Sequence, residues 1–126
     1  MPLADARPVA MIITRDRKVA EPFYGQTLGL RRLPGDDFAA VYDLAGVKLR
    51  LTEVPDHEAA AHPVLGWEVP DIRAAVEALK AKGVAMNIYE GMGQDELGIW
   101  TAPDGSAKVA FFNDPDGNGL SLTEHK

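Results

Sequence analysis

Arg50 and Ser121 hold matched places in this chain, because the segment Leu49-Arg50-Leu51-Thr52-Glu53 returns as Leu120-Ser121-Leu122-Thr123-Glu124. A guanidinium at such a place binds a carboxylate, an enolate or another oxyanion through charge-assisted hydrogen bonds. A serine hydroxyl donates or accepts. Other chemistry-bearing residues are sparse. There is no cysteine, which excludes disulfides, thiolate catalysis and cysteine-based zinc sites. His57, His62 and His125 fall in a linker or at the end of the sequence. No Ser/His/Asp arrangement, phosphate-cradling glycine motif or pair of catalytic carboxylates stands out, so no catalytic residue is assigned.

The elements that carry these residues also come twice. A short apolar run (residues 8–14, then 64–69) leads through an aspartate into a helical stretch (16–28, then 71–82). A glycine and an apolar residue follow (Gly29-Leu30, Gly83-Val84), and strand-like segments come after. Asp16 and Asp71 are the expected N-caps, their carboxylates accepting from free N–H groups of the first turn. Pro22 inside the first helix predicts a kink or a late start near Val19. In the second helix Ile72, Ala75, Val76 and Leu79 mark one apolar stripe. In the first module strands are expected at 30–33, 38–43 and 47–53, with turns at 34–37 and at Ala45-Gly46. In the second they are expected at 84–89, 99–102, 107–113 and 119–124, with turns at 103–106 and 114–118. Residues 54–63, with two prolines and no period, separate the modules.

Asp16 and Asp71 are 55 positions apart, whereas Leu49 and Leu120 are 71 apart. The second module is therefore longer between helix and last strand, and the glycine-rich acidic stretch 90–98 lies in that interval. Three glycines there lower the cost of backbone rearrangement, so a mobile lid is expected. Thirteen basic against nineteen acidic residues give a net charge of −6. That argues against a nucleic-acid surface, which needs clustered Lys and Arg. Residues 1–8 lack the apolar run of a signal peptide, and no stretch reaches membrane-spanning length, so a soluble cytoplasmic protein is expected.

The repeated β-α-β-β-β order resembles the vicinal oxygen chelate superfamily, which includes glyoxalase I, extradiol dioxygenases, fosfomycin-modifying enzymes and bleomycin resistance proteins. The resemblance is carried by Phe23-Tyr24 before Leu28-Gly29-Leu30, and by Asp114-Pro115-Asp116-Gly117-Asn118 before the last strand. It implies an α+β fold for residues 1–126 as a single domain. Two tandem βαβββ modules, 8–54 and 63–125, would form a cupped mixed sheet with helices outside, commonly as a homodimer. It also implies one divalent cation held by His or Glu at four positions, which fall here on Val9, Arg50, Val64 and Ser121. None of these supplies the imidazole or carboxylate that such a cation requires, and a guanidinium would repel it. Glu53 and Glu124 lie three positions beyond, and an odd offset along a strand points to the opposite face. They read as solvated carboxylates at strand ends. His62, two positions before Val64 and on the same face, keeps a divalent metal as the alternative to the main expectation of no metal and no cofactor.

Alternation turns Leu49, Leu51, Leu65, Trp67, Val69, Leu120 and Leu122 toward the helices. The implied cup then receives Val9, Met11, Ile13, Lys48, Arg50, Thr52, Val64, Gly66, Glu68, Gly119, Ser121 and Thr123. Met11, Lys48, Arg50, Glu68 and Ser121 are candidate ligand contacts, with Tyr89 and Trp100 flanking the long loop. Arg50 either anchors an oxyanion or pairs internally with Glu68. The function expected is metal-independent binding of a small organic ligand, similar to bleomycin-resistance-type sequestering proteins. The alternative is a glyoxalase-like lyase, isomerase or dioxygenase with atypical metal ligands, and a third is a partner protein with an empty cup.

Overall fold

A computed structural model describes residues 2–126. The chain divides into two compact units, residues 1–58 and 59–126. In the first, β1 (Val9–Thr14), β2 (Arg31–Leu33), β3 (Ala39–Leu44) and β4 (Val47–Glu53) form a mixed sheet in the order β1-β4-β3-β2. β1 runs parallel to β4 and the other pairs are antiparallel. Helix α1 (Arg17–Pro22) starts at once after Asp16, whose carboxylate accepts from the Lys18 N–H at 2.9 Å. The late start expected near Val19 does not occur. Pro22 is instead the last α-helical residue, where its missing N–H interrupts the ladder. The chain continues as a π-helical turn, Phe23–Thr27, in which the Leu28 N–H reaches back to the Phe23 carbonyl at 2.8 Å. Gly29, at φ +74°, ends it.

Alternation along β4 decides what each face does. Leu49 and Leu51 are fully buried, together with Ile12 and Tyr42 and with Ala20 and Tyr24 of the helical segment. The Tyr24 and Tyr42 rings lie 6.4 Å apart, and the Tyr42 hydroxyl donates to the Glu21 carbonyl at 3.3 Å. This is the helix-covered face, and each large side chain buried on it contributes about 1.5–3 kcal/mol. The β3–β4 connection is the two-residue turn Ala45-Gly46, both at positive φ, which suits the right-handed twist of a tight hairpin.

The second unit repeats the plan with β5 (Pro63–Glu68), α2 (Ile72–Ala81), β6 (Trp100–Thr101), β7 (Ala107–Asn113) and β8 (Gly119–His125), in the sheet order β5-β8-β7-β6. Asp71 caps α2 by accepting from the Ala74 N–H at 3.1 Å, and Gly83 at φ +88° closes it. Ile72 and Val76 of the expected stripe are buried, while Ala75 and Leu79 are half-buried. Trp67 stacks on Phe112 at 6.4 Å above the buried Leu120 and Leu122.

The expected strand over 84–89 is absent. The outer edge of β7 is shared: β6 takes Lys108 and Val109, leaving the Asn87 N–H to bond the Phe111 carbonyl. The Gln94 side chain replaces the missing ladder. It accepts from the Tyr89 N–H at 2.7 Å and donates to the carbonyls of Asn87 and Gly98, each at 2.8 Å. Asp95 adds bonds from the N–H groups of Leu97 and Ile99. The stretch expected to be a lid thus carries its own internal scaffold.

Glu53 and Glu124 point to the helix-covered face, as parity requires, but they are more than solvated strand ends. Glu53 Oε1 accepts from the Arg17 N–H at 2.9 Å, and Glu124 Oε1 accepts from the Ile72 N–H at 2.9 Å. Each glutamate bonds the first N–H of its own unit's helix, beside the aspartate cap. Replacing Glu124 by Ala is expected to cost about 1 kcal/mol in denaturant unfolding, with less for the more exposed Glu53→Ala. Unchanged midpoints in both variants would show that the bonds contribute nothing.

Candidate functional site

The faces that the helices leave uncovered carry the residues with chemistry. In the first unit the strand register sets them in rows across the sheet: Val9, Lys48, Asp43 and Arg31; then Met11, Arg50, Val41 and Leu33; then Ile13, Thr52 and Ala39. Lys48 and Met11 are exposed, while Arg50 is partly covered. The Arg50 guanidinium pairs with the Asp36 carboxylate at 3.1 Å. That partner lies in the same unit, in the turn between β2 and β3. Asp36 Oδ1 also accepts from the N–H groups of Phe38 and Ala39, at 2.9 Å each. The Phe38 backbone bond first, then the Arg50 guanidinium and the Ala39 backbone bond, hold its carboxyl below the usual carboxylate range. Arg17 braces the same turn through the carbonyls of Asp36 and Asp37. Beside this pair Thr52 Oγ1 is buried and has no hydrogen-bond partner among the described residues.

In the second unit the register aligns Glu68, Thr123, Val109 and Trp100 in one row and Gly66, Ser121 and Phe111 in the next. Glu68 is exposed, while Ser121 and Trp100 are half-buried. The Ser121 hydroxyl lies over Gly66 so closely that a Cβ at position 66 would collide with it. Tyr89 stands edge-on to Phe111, with ring centroids 5.9 Å apart. A cavity of about 170 Å³ opens at this end of the sheet, between His62, Asn87, Tyr89, Phe111, Asn113 and Gly119. Drug-sized pockets span roughly 300–1,000 Å³, so this one suits a fragment.

The Asp114-to-Asn118 turn positions Ser121. Asp114 and Asn118 are buried, and the Asp114 carboxylate accepts from the N–H groups of Asp116 and Asn118 and from Asn118 Nδ2 at 2.8 Å. Gly117 adopts φ +87° to close the turn. Its role is to start β8 in a single register, since a slip of one residue would exchange the faces of Ser121 and Leu122.

Met11, Lys48 and Arg50 thus share the uncovered face of the first sheet. Glu68, Trp100 and Ser121 share that of the second, with Tyr89 in the loop beside it. Sequence reasoning missed Asp36, Asn87 and Asn113. Asp36 had a local signal, an aspartate three residues before a strand, where its side chain caps free N–H groups. The two asparagines had none, because β7 and the 84–89 segment meet only in the fold.

The four positions implied for a divalent cation carry two valines, an arginine already paired to a carboxylate, and a serine packed over a glycine. Among the described residues no three His, Cys, Asp or Glu side chains converge to hold an ion. The residues present do not fit a metal of the hard or borderline kind.

A family model described as the Glyoxalase/Bleomycin resistance protein/Dioxygenase superfamily matches residues 8–122, and the chain belongs to that superfamily. Its fold is similar to that of a genomically encoded fosfomycin resistance protein from Listeria monocytogenes, at 14% identity and TM-score 0.76, covering 98% of this chain and 96% of that one. A glyoxalase family protein from Enterococcus faecalis matches at 20% identity and TM-score 0.75, covering 98% and 100%. A glyoxalase/bleomycin resistance protein from Catenulispora acidiphila matches at 23% identity and TM-score 0.71, covering 95% and 98%. At such identities the likeness is one of fold, which does not transfer an activity. No curated protein matches the sequence.

The Arg50–Asp36 pair has a titration signature. A depressed carboxyl contributes stability that is present above its unfolded value, about 3.9, and is lost as pH falls through its folded value. Carbon-detected titration should find Asp36 below the ordinary range, and Arg50→Met should raise it only part of the way, because the Phe38 and Ala39 bonds remain. No movement in the variant would mean that the guanidinium is not paired in solution.

Proposed function

We propose that this member of the superfamily binds a small organic ligand without a metal ion, in the manner of bleomycin-resistance-type sequestering proteins. The observation that carries the reading is the chemistry at Val9, Arg50, Val64 and Ser121, which offers a cation neither imidazole nor carboxylate. The uncovered sheet faces support it, setting apolar side chains such as Met11, Leu33, Trp100 and Phe111 among polar and charged ones that can orient a ligand. Arg50 serves as the anchor for an acidic group on the ligand. A guanidinium has five N–H donors, so bonding Asp36 through Nη2 leaves others for a ligand carboxylate or enolate. Met11, Lys48, Glu68, Tyr89, Trp100 and Ser121 complete the proposed contacts. The working form is a cytoplasmic homodimer, the assembly that the superfamily resemblance implies. Among the described residues no helix is long and apolar enough to cross a membrane.

Thermal unfolding tests metal independence. An ion present at a hundred times its dissociation constant would stabilise the native state by about 2.7 kcal/mol, a rise of roughly 5–15 °C for a domain of this size. Chelator, Zn²⁺, Ni²⁺ and Mn²⁺ are each expected to leave the midpoint unchanged. A saturable rise with any of the three ions would defeat the proposal and favour a glyoxalase-like lyase, isomerase or dioxygenase with atypical ligands.

A further inference from the structure

The hydrogen bonds around the small cavity of the second unit run in one direction, and that direction determines what the cavity accepts. The Gly117 carbonyl can only accept, so the group that Asn113 presents to it, 2.9 Å away, is its Nδ2. Asn113 Oδ1 is then turned to Asn87, which must present its own Nδ2 in return. The same Nδ2 lies 3.4 Å from the Tyr89 hydroxyl oxygen. Both amide orientations are therefore dictated by one backbone carbonyl. The chain ends at Asn87 Oδ1, an acceptor with no hydrogen-bond partner among the described residues, on a side chain that lines the cavity. His62 adds a second acceptor. Its Nδ1 lies 3.0 Å from the Pro63 carbonyl, so in the tautomer that makes this bond Nδ1 donates and Nε2 is left as the acceptor.

A site that ends in acceptors binds a donor. The cavity wall includes the Tyr89 and Phe111 rings, aromatic groups of the kind that attract cations. The charge of the unit acts in the same sense, because residues 59–126 hold ten Asp and Glu against five Lys and Arg. We infer that the cavity bounded by His62, Asn87, Tyr89, Phe111 and Asn113 is a binding site for a small alkylammonium group, with Asn87 Oδ1 as its principal acceptor. The site lies wholly within the second unit and does not depend on the metal-free reading proposed above.

Butylammonium, butanol and butyrate, of equal chain length, are the probes, and the side-chain amide resonances of Asn87 and Asn113 are the readout. Butylammonium should shift both saturably, with butanol weaker and butyrate inert. A hydrogen bond to a charged group contributes about 1.5–3 kcal/mol, so Asn87→Ala should weaken butylammonium roughly tenfold or more. Asn87 holds the Phe111 carbonyl through its backbone N–H, which the alanine variant keeps. Unchanged amide shifts in β5 and β8 would confirm that the variant is folded. Asn113→Ala gives a second and opposite signature. It removes the group that fixes the Asn87 amide, which can then turn over and offer its Nδ2, so the preference for butylammonium over butyrate should shrink or invert. Equal binding of cation and anion to the unaltered protein would overturn the proposal. So would an Asn87→Ala variant, folded by the same criterion, that keeps full affinity.

Discussion

Burial of the repeated motif's leucines against each unit's helix sorts the two faces of each sheet, and a glutamate from the same strand ties that strand to the start of the helix. Glu53 reaches the Arg17 N–H and Glu124 reaches the Ile72 N–H, both at 2.9 Å. Because strand side chains alternate, a glutamate held on the helix side places Leu49 and Leu51, or Leu120 and Leu122, on that side too. Arg50 and Thr52, or Ser121 and Thr123, are thereby committed to the uncovered side. The repeated five-residue motif is thus a sorting device. Its leucines form the core, its glutamate registers the helix, and its variable second residue is the one position free to differ in chemistry between units.

Freedom at that position explains how the two units can place different chemistry there without disturbing their cores. The core residues are of the opposite parity, so Arg50 and Ser121 change nothing that the helices pack against. An arginine on the uncovered face still needs an opposite charge, and Asp36 supplies it from the β2–β3 turn. Two backbone N–H bonds preset that carboxylate, so little side-chain entropy is lost in making the pair. At the matched place in the second unit the serine hydroxyl needs only space, and Gly66 leaves it.

Much of this was legible in the sequence, for identifiable reasons. Val47–Glu53 and Ala107–Asn113 were expected at the bounds they occupy, because their alternation is strong and turn residues delimit both. The two aspartate caps and the closing glycines were equally plain. Of the two outcomes expected from Pro22, the late start near Val19 did not occur, because the helix starts at Arg17 and a π-helical turn follows the proline. The expected strand over 84–89 failed because the Gln94 amide satisfied backbone groups that would otherwise need a neighbour. The partner of Arg50 was not readable, since parity identifies which residues share a face but not which turn folds over it.

Under the proposed function the uncovered faces hold an organic molecule without a metal ion. Native mass spectrometry of protein purified without chelator reports chain mass, assembly and retained partners in one spectrum. The expected spectrum shows a homodimer without metal adducts, and retention of acidic organic probes that Arg50→Met abolishes. One metal ion per chain, lost on chelation together with the bound probe, would contradict it.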